Sequence, residues 1–327
     1  MLMAQHVVPV ESAPVLVQQA LSRRSIPDTD LRVYPLALGG SVFGWTAAED
    51  TSMRILDRYR ERGGNFIDTA DSYAAGRSEM IIGNWMQSRG VREQTIVATK
   101  IGRTLDHPGL TPRSIMGAVQ ASLVRLQTDH IDLLYFHVDD ETVPLEESLG
   151  AVDVLLRSGQ VRHIAASNFS AERLMEARVL AANGLPRFVA LQTHYNLVHR
   201  AAFEASLALV TRAQGMAVMG YFALAHGFLA GKYRTRAETL GTARGSRAAV
   251  YLNRKPLRVL SVVERIAREH GVPPATVAIA WMQGRGGVTA PVASASSPEQ
   301  VEVLMQAAGI RLSRADTIDL DRVSAPQ

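Results

Sequence analysis

The chain has 327 residues, 47% hydrophobic and 20% charged, with a formal net charge of +4 and no cysteine. That composition allows a large core and argues against disorder, and it excludes disulfides, thiolate nucleophiles and cysteine metal sites. No apolar run approaches the ~20 residues of a membrane span, and the basic residues lack the clustering with aromatics of a nucleic-acid binder.

The first residues show neither a basic start nor a long apolar stretch, so no signal peptide is expected and a cytoplasmic location is. Residues 1–22 read as a tail, with a short helix over Pro14 to Arg23. Residues 23–327 read as one domain. Ser25 to Val33 predicts a hairpin turning at Pro27-Asp28. Pro35 to Leu38 is a short strand ending in Gly39-Gly40, and Glu49 to Arg62 has helical spacing that stops at Gly63-Gly64.

Phe66 to Asp68 is the next strand, followed by a helix over Ser78 to Arg89. Thr95 to Thr99 is a strand ending at Lys100. Thr111 as N-cap and Pro112 at N1 open a helix running to Gln127. Strands over Ile131 to Phe136, Val161 to Ala166, Phe188 to Gln192 and Met216 to Tyr221 alternate with helices over Pro144 to Arg157, Ser170 to Asn183 and Arg200 to Gln214. Phe222 to Pro256, which includes an arginine-rich segment, reads as a long loop with little regular structure. Helices over Leu257 to His270 and Pro274 to Gln283 precede an eighth strand, Val288 to Val292. Helices over Pro298 to Ala308 and Arg314 to Val323 end the chain.

Eight strands, each followed by helical material, predict an α/β fold of the (β/α)8 TIM-barrel type, with the N-terminal hairpin closing the bottom and extra C-terminal helices. A doubly wound sheet would also alternate, but no G-x-G-x-x-G follows the first strand. In such barrels the active site lies at the C-terminal strand ends. Those ends here carry Gly40 and Ser41, Asp68 with Tyr73, Lys100, His137, Ser167 and Asn168, Gln192, and Tyr221.

Each of these has an ordinary explanation, such as an N-cap, a surface lysine or a core histidine; together they predict one mouth. Only Lys100, Lys232 and Lys255 are lysine among the 35 basic residues, which hints at places where guanidinium does not substitute. Asp68 and Lys100 on adjacent strands predict a buried ion pair. Its ammonium is expected to lower the Tyr73 phenol from its usual pKa of about 10, making it a proton donor. His137 adds a hydrogen bond to the oxygen that receives the proton. A hydride source must come from a cofactor. No metal site is expected. Asp71, equally acidic, reads as a cap or turn residue.

The motifs resemble the aldo-keto reductases, nicotinamide-dependent oxidoreductases on a β/α barrel, from about residue 22 to the end. D-T-A-D-S-Y, V-A-T-K and L-L-Y-F-H match the family's aspartate–tyrosine, lysine and histidine segments. The resemblance implies Tyr73 as proton donor, Lys100 and Asp68 as its tuners, and His137 orienting the carbonyl. It implies Ser167, Asn168 and Gln192 as holders of the nicotinamide carboxamide and Tyr221 as the ring stacked on it. Gly40, Ser41, Asp68, Phe222, Ala223, Leu224, Gly227, Lys232, Ser294, Ser296 and Gln300 complete the implied cofactor contacts. Phe222 replaces a serine common in relatives, and His226 stands at a frequent glycine position.

NADPH or NADP+ is the family default. Relatives place Arg or Lys against the ribose phosphate of NADP, but Val288 to Leu304 holds no basic residue, which leaves NADH use open and predicts weakened NADP selectivity. The substrate is expected to be a small-molecule carbonyl or alcohol, walled by Phe43 and Trp45, with no nucleic-acid or membrane partner and a monomer or homo-oligomer as the assembly. Asp139 and Asp140 read first as solvated loop acids; as hydroxyl binders they would favour a polar or sugar-like ketone. Two rival readings are a catalytically weak, redox-sensing accessory subunit and a Schiff-base lyase using Lys100.

Overall fold

Each apolar run marked as a strand pairs in parallel with its neighbour in the chain. The barrel strands are β3 (Ala37–Gly39), β4 (Phe66–Asp68), β5 (Ile96–Ile101), β6 (Ile131–Phe136), β7 (Val161–Ser167), β8 (Phe188–His194), β9 (Ala217–Tyr221) and β10 (Val292–Ala293). They form one eight-stranded sheet in the order β10-β3-β4-β5-β6-β7-β8-β9. A parallel bridge from Val218 to Val288 brings its two edges together. This sequential order is that of a nearly closed (β/α)8 barrel, not of a doubly wound sheet. The computed structural model describes residues 23–326, so the expected tail and the start of its helix at Pro14 lie outside the described residues.

The hairpin consists of β1 (Arg24–Ser25) and β2 (Arg32–Val33), paired antiparallel. Thr29 Oγ closes its turn by donating to Ile26 O at 2.8 Å. Ile26, Leu31 and Val33 pack with Ala37, Phe66, Ala98, Leu133, Ala165, Ala190 and Ala217, the inward side chains of the barrel. The hairpin therefore plugs the N-terminal end of the barrel, and among the described residues the C-terminal end is left open for chemistry.

The helices are α1 (Glu49–Glu61), α2 (Arg77–Arg89), α3 (Pro112–Leu126), α4 (Leu145–Arg157), α5 (Ala171–Ala182), α6 (Ala208–Ala213), α7 (Arg236–Thr239), α8 (Gly245–Ala248), α9 (Arg254–Glu269), α10 (Pro274–Gln283), α11 (Pro298–Met305) and α12 (Arg314–Ser324). In α1 the residues at helical spacing, Ser52, Ile55, Leu56 and Tyr59, are the buried ones. Thr111 caps α3 as expected by accepting from Ser114 N, and Ser170 caps α5 by accepting from Arg173 N.

Three expectations are corrected. The eighth strand is shorter and later than Val288 to Val292. Pro291 has no N–H to continue a ladder, so Thr289 and Ala290 donate to Val218 O in β9 and only Val292–Ala293 pair with β3. The helix before β9 contains a π turn over Phe203–Leu207, for which the sequence holds no visible mark. The segment from Phe222 to Pro256 is not structureless: a 3-10 stretch, α7 and α8 shape it. Glu238 accepts from the Thr235 backbone at 3.0 Å to start α7. Gly245 sits so close to Thr239 O that a Cβ there would lie 1.8 Å from it.

Candidate active site

Side chains alternate along a strand, so the inward series of each barrel strand has period two. In β4 that series is Phe66 then Asp68, in β5 Ala98 then Lys100, and in β6 Leu133, Tyr135 and, one step past the end, His137. In β8 it is Ala190 then Gln192, and in β9 Ala217, Met219 then Tyr221. The lower members fill the barrel interior as apolar bulk. The last member of each is polar or aromatic and faces the mouth, which is why residues far apart in the chain converge.

Lys100 Nζ donates to Asp68 Oδ1 at 2.7 Å and to Thr69 O at 2.8 Å. Gln192 Nε2 donates to the second carboxylate oxygen, Asp68 Oδ2, at 2.6 Å. Asp68, Lys100 and Gln192 are all buried, and both carboxylate oxygens and the ammonium are hydrogen-bonded, as a buried ion pair must be to persist. The ammonium lies 5.1 Å from the centre of the Tyr73 ring. Burial works against the Lys100 charge, but Asp68 and the Tyr73 phenol together hold its pKa above the ordinary lysine value. Lys100 is therefore a fixed cation.

The same balance corrects the expectation for Tyr73. Burial raises its pKa by more than Lys100 lowers it, and the Asp68 carboxylate adds to the rise, so the phenol stands above its usual value rather than below it. His137 packs edge-on to Tyr73 with ring centres 6.0 Å apart. Burial first, then Lys100 and Arg103, push its pKa down to about 3, which keeps the imidazole neutral. Its Nδ1 is buried without a partner.

Above this floor is a cavity of about 920 Å³ that runs from Tyr73 and His137 past Tyr221 to Ser294, Ser296 and Gln300. At the Tyr221 end, the tyrosine hydroxyl donates to Asn168 Oδ1 at 2.7 Å, and Asn168 Nδ2 donates to His137 O at 2.9 Å. Asn168 adopts a left-handed φ of 57° to make both bonds. Behind Tyr221, His194 stacks on it at 5.4 Å and on His199 at 3.7 Å. The next turn holds Phe222, Ala225, His226 and Gly227 at positive φ, a tight winding of the backbone along the cavity wall. The far end carries cations: Lys232, Arg244 and Arg247 line the cavity. Arg244 Nη2 donates to Ser41 Oγ at 3.1 Å, which is 3.2 Å from Ser294 Oγ.

A model described as the aldo/keto reductase family matches residues 35–325. The chain belongs to that family. It is 34% identical over 302 residues to the uncharacterized oxidoreductase YrpG of Bacillus subtilis, covering 88% of this chain and 90% of that one. It is 33% identical over 301 residues to norsolorinic acid reductase B of Aspergillus parasiticus, covering 86% and 77%. With protein tas of Escherichia coli it shares 30% over 334 residues, covering 91% and 96%. Family and relatives together support oxidoreductase chemistry on carbonyl compounds.

Of the residues expected in the site of this aldo/keto reductase, Ser41, Trp45, Asp68, Tyr73, His137, Ser167, Asn168, Gln192 and Tyr221 line the cavity. So do Phe222, Ala223, Leu224, Gly227, Lys232, Ser294, Ser296 and Gln300. Two do not. Gly40 turns inward, its N–H donating to Asp68 O at 2.7 Å. Phe43 is fully buried against Gly40, because the turn after β3 winds it under the chain while Trp45, 50% exposed, faces the cavity.

Lys100 lies beneath the cavity with its ammonium bonded, which removes the Schiff-base role. Asp139 is held by Arg173 Nε at 2.9 Å, and Asp140 accepts from Leu110 N at 2.9 Å. Both are structural, so the preference for a sugar-like substrate loses its support. Asp71 caps nothing: both carboxyl oxygens are buried without hydrogen bonds, and burial, with Glu79 nearby, raises its pKa to about 7.

His226, left without a role in the sequence, packs 4.1 Å from the Phe222 ring, and burial lowers its pKa to about 4. The residues missed were His194, Arg103, Arg244 and Arg247. The arginine-rich segment was the available signal for the last two, but only its folding shows which arginines face the cavity.

Proposed function

We propose that this chain reduces an aldehyde or ketone to the alcohol, or runs the reverse, with a nicotinamide cofactor in the cavity. The buried Asp68–Lys100 pair, closed by Gln192 directly under Tyr73 and His137, carries this reading. The cavity suits the cofactor by the chemistry of its donors: amide and hydroxyl groups at Asn168 and Ser167, an aromatic face at Tyr221, and cations at its far end. The cofactor, when bound, supplies the hydride.

The residues supply the rest. Tyr73, held protonated, gives its phenolic proton to the carbonyl oxygen as charge gathers there. Lys100 stays cationic beside the phenol and favours the phenolate left behind. Neutral His137 orients the carbonyl by a hydrogen bond and strengthens that bond as the oxygen becomes negative. Asp68 and Gln192 keep the lysine in place. Asp68, Lys100, His137 and Gln192 are buried around the half-buried Tyr73, which limits water at the proton path.

For the cofactor we favour NADPH, with NADH accepted less efficiently. The stretch 288–304 has no basic residue for the ribose phosphate, but Lys232, Arg244 and Arg247 bring positive charge to the same cavity, and a charge-assisted hydrogen bond is about twice as strong as a neutral one. The test is a panel of carbonyl compounds followed by loss of nicotinamide absorbance with NADPH and NADH. Tyr73→Phe is expected to lower kcat roughly 10²- to 10⁴-fold while cofactor binding persists. Unchanged turnover in that variant would remove the proton-donor assignment, and a preference for NADH would remove the charge assignment.

A further inference from the structure

We propose that Arg103 binds the substrate, and that the preferred carbonyl compound carries an anionic group, a carboxylate or a phosphate. The proposal rests on the reading of the cavity as a carbonyl-reduction site and adds the substrate class to it.

Arg103 follows β5 immediately. Gly102, at φ 101°, turns the chain out of the strand, and a backbone bridge from Arg103 to Pro108 closes the loop that follows. The chain runs beside His137, whose N–H donates to Ile101 O at 3.0 Å. Arg103 thus lines the cavity at its Tyr73 and His137 end. Lys232, Arg244 and Arg247 belong instead to the segment after β9. Its charge reaches the reacting groups, contributing to the lowered pKa of His137 and acting on Tyr73 in the same sense.

Nothing within the protein neutralises this charge. Among the described residues the exposed Arg103 side chain has no hydrogen-bond or ion-pair partner, whereas the less exposed Arg92, Arg125, Arg173 and Arg200 are each bound to an acid. Asp68 is the only acid on the described cavity wall, and both its oxygens are occupied by Lys100 and Gln192. Asp139 and Asp140, the acids of the next mouth loop, are held by Arg173, Leu110 N and Thr142. Asp106, on the same loop as Arg103, forms no ion pair with it. An unpaired guanidinium facing a site for small molecules is a fork for a carboxylate or phosphate.

The experiment uses enzyme saturated with cofactor, so that the cations near Ser294 are already engaged. Para-carboxybenzaldehyde is compared with its methyl ester, and glycolaldehyde phosphate with glycolaldehyde, each read as the ratio of parent to variant so that intrinsic reactivity cancels. Arg103→Met is expected to lower kcat/KM for the anionic member roughly 10- to 100-fold more than for the neutral member, chiefly through KM. Arg103→Lys should recover part of the loss, and the two pairs tell carboxylate from phosphate.

Equal effects on both members of both pairs overturn the proposal. If no aldehyde is turned over at all, the reductase reading fails. Benzoate against benzamide binding to enzyme loaded with oxidised cofactor, measured by calorimetry, then decides on Arg103 alone. Benzoate binding that Arg103→Met leaves unchanged overturns the assignment.

Discussion

The floor and the far wall of the same cavity are built on different physics. Asp68, Lys100 and Gln192 stand on adjacent or facing strands of a barrel, buried and joined by bonds of 2.6 to 2.7 Å. Their positions follow from strand register, which a packed core enforces. Arg244 and Arg247 stand on a long connection held by short helices and a glycine contact. Arg244 is half-buried, Arg247 is exposed, and neither has an acid as partner among the described residues. A rigid floor suits proton transfer, which tolerates little displacement. A looser wall suits the capture and release of a charged cofactor.

Variants on the two sides should therefore fail differently. Lys100→Met leaves the Asp68 carboxylate buried with Gln192 alone. Breaking one side of a buried pair is expected to cost about 3–5 kcal/mol, seen as a lower denaturant midpoint together with lost turnover. A variant of native stability would mean that the floor is wetter than its geometry implies.

Asp71 sharpens the contrast within the floor itself, because it is the one buried acid there without a partner. Its folded pKa is raised from 3.8 to about 7, so the folded state holds the proton more tightly than the unfolded chain does. That contribution to stability is complete below the unfolded value and is lost as pH rises through about 7. Asp71→Asn removes the dependence. It should be more stable than the parent at pH 8, by up to about 4 kcal/mol at 1.36 kcal/mol per pH unit, and nearly equal at low pH. Melting temperatures at the two pH values decide, and an identical gap at both would rule this out.

The smallest effect is expected on the wall. Arg244→Ala should raise the KM for NADPH roughly 10-fold, the scale of one charged hydrogen bond, with a smaller change for NADH and little change in melting temperature. A large loss of stability would place Arg244 with the structural arginines rather than with the cofactor.

Much of the floor was legible because period-two alternation ties a residue's number to the direction of its side chain. Phe66 to Asp68 and Ile131 to Phe136 appear with the bounds the sequence indicates, and His137 and Gln192 face the mouth as the pattern requires, with Lys100 just beneath it. Outside the strands this rule lapses. Phe43 and Trp45 are two residues apart in a wound turn, and one is buried while the other lines the cavity. Asp139 and Asp140 look available in the sequence, but the fold brings Arg173 and the Leu110 N–H to them. Asp71 looks like a cap, yet it lies where no N–H completes a hydrogen bond to it.

The sequence by itself determined the barrel, its hairpin plug and the identity of the groups at the strand ends, since apolar periodicity and short-range turn chemistry act locally along the chain. Tertiary structure alone decided how those groups behave. Whether Tyr73 is pushed up or down depends on the balance between burial and the Lys100 charge, and burial is a property of everything packed around the ring. Which of many arginines face the cavity depends on how residues 222–256 fold over it, with Gly245 lying against Thr239. Both are sums over distant contacts, and no window of sequence contains them.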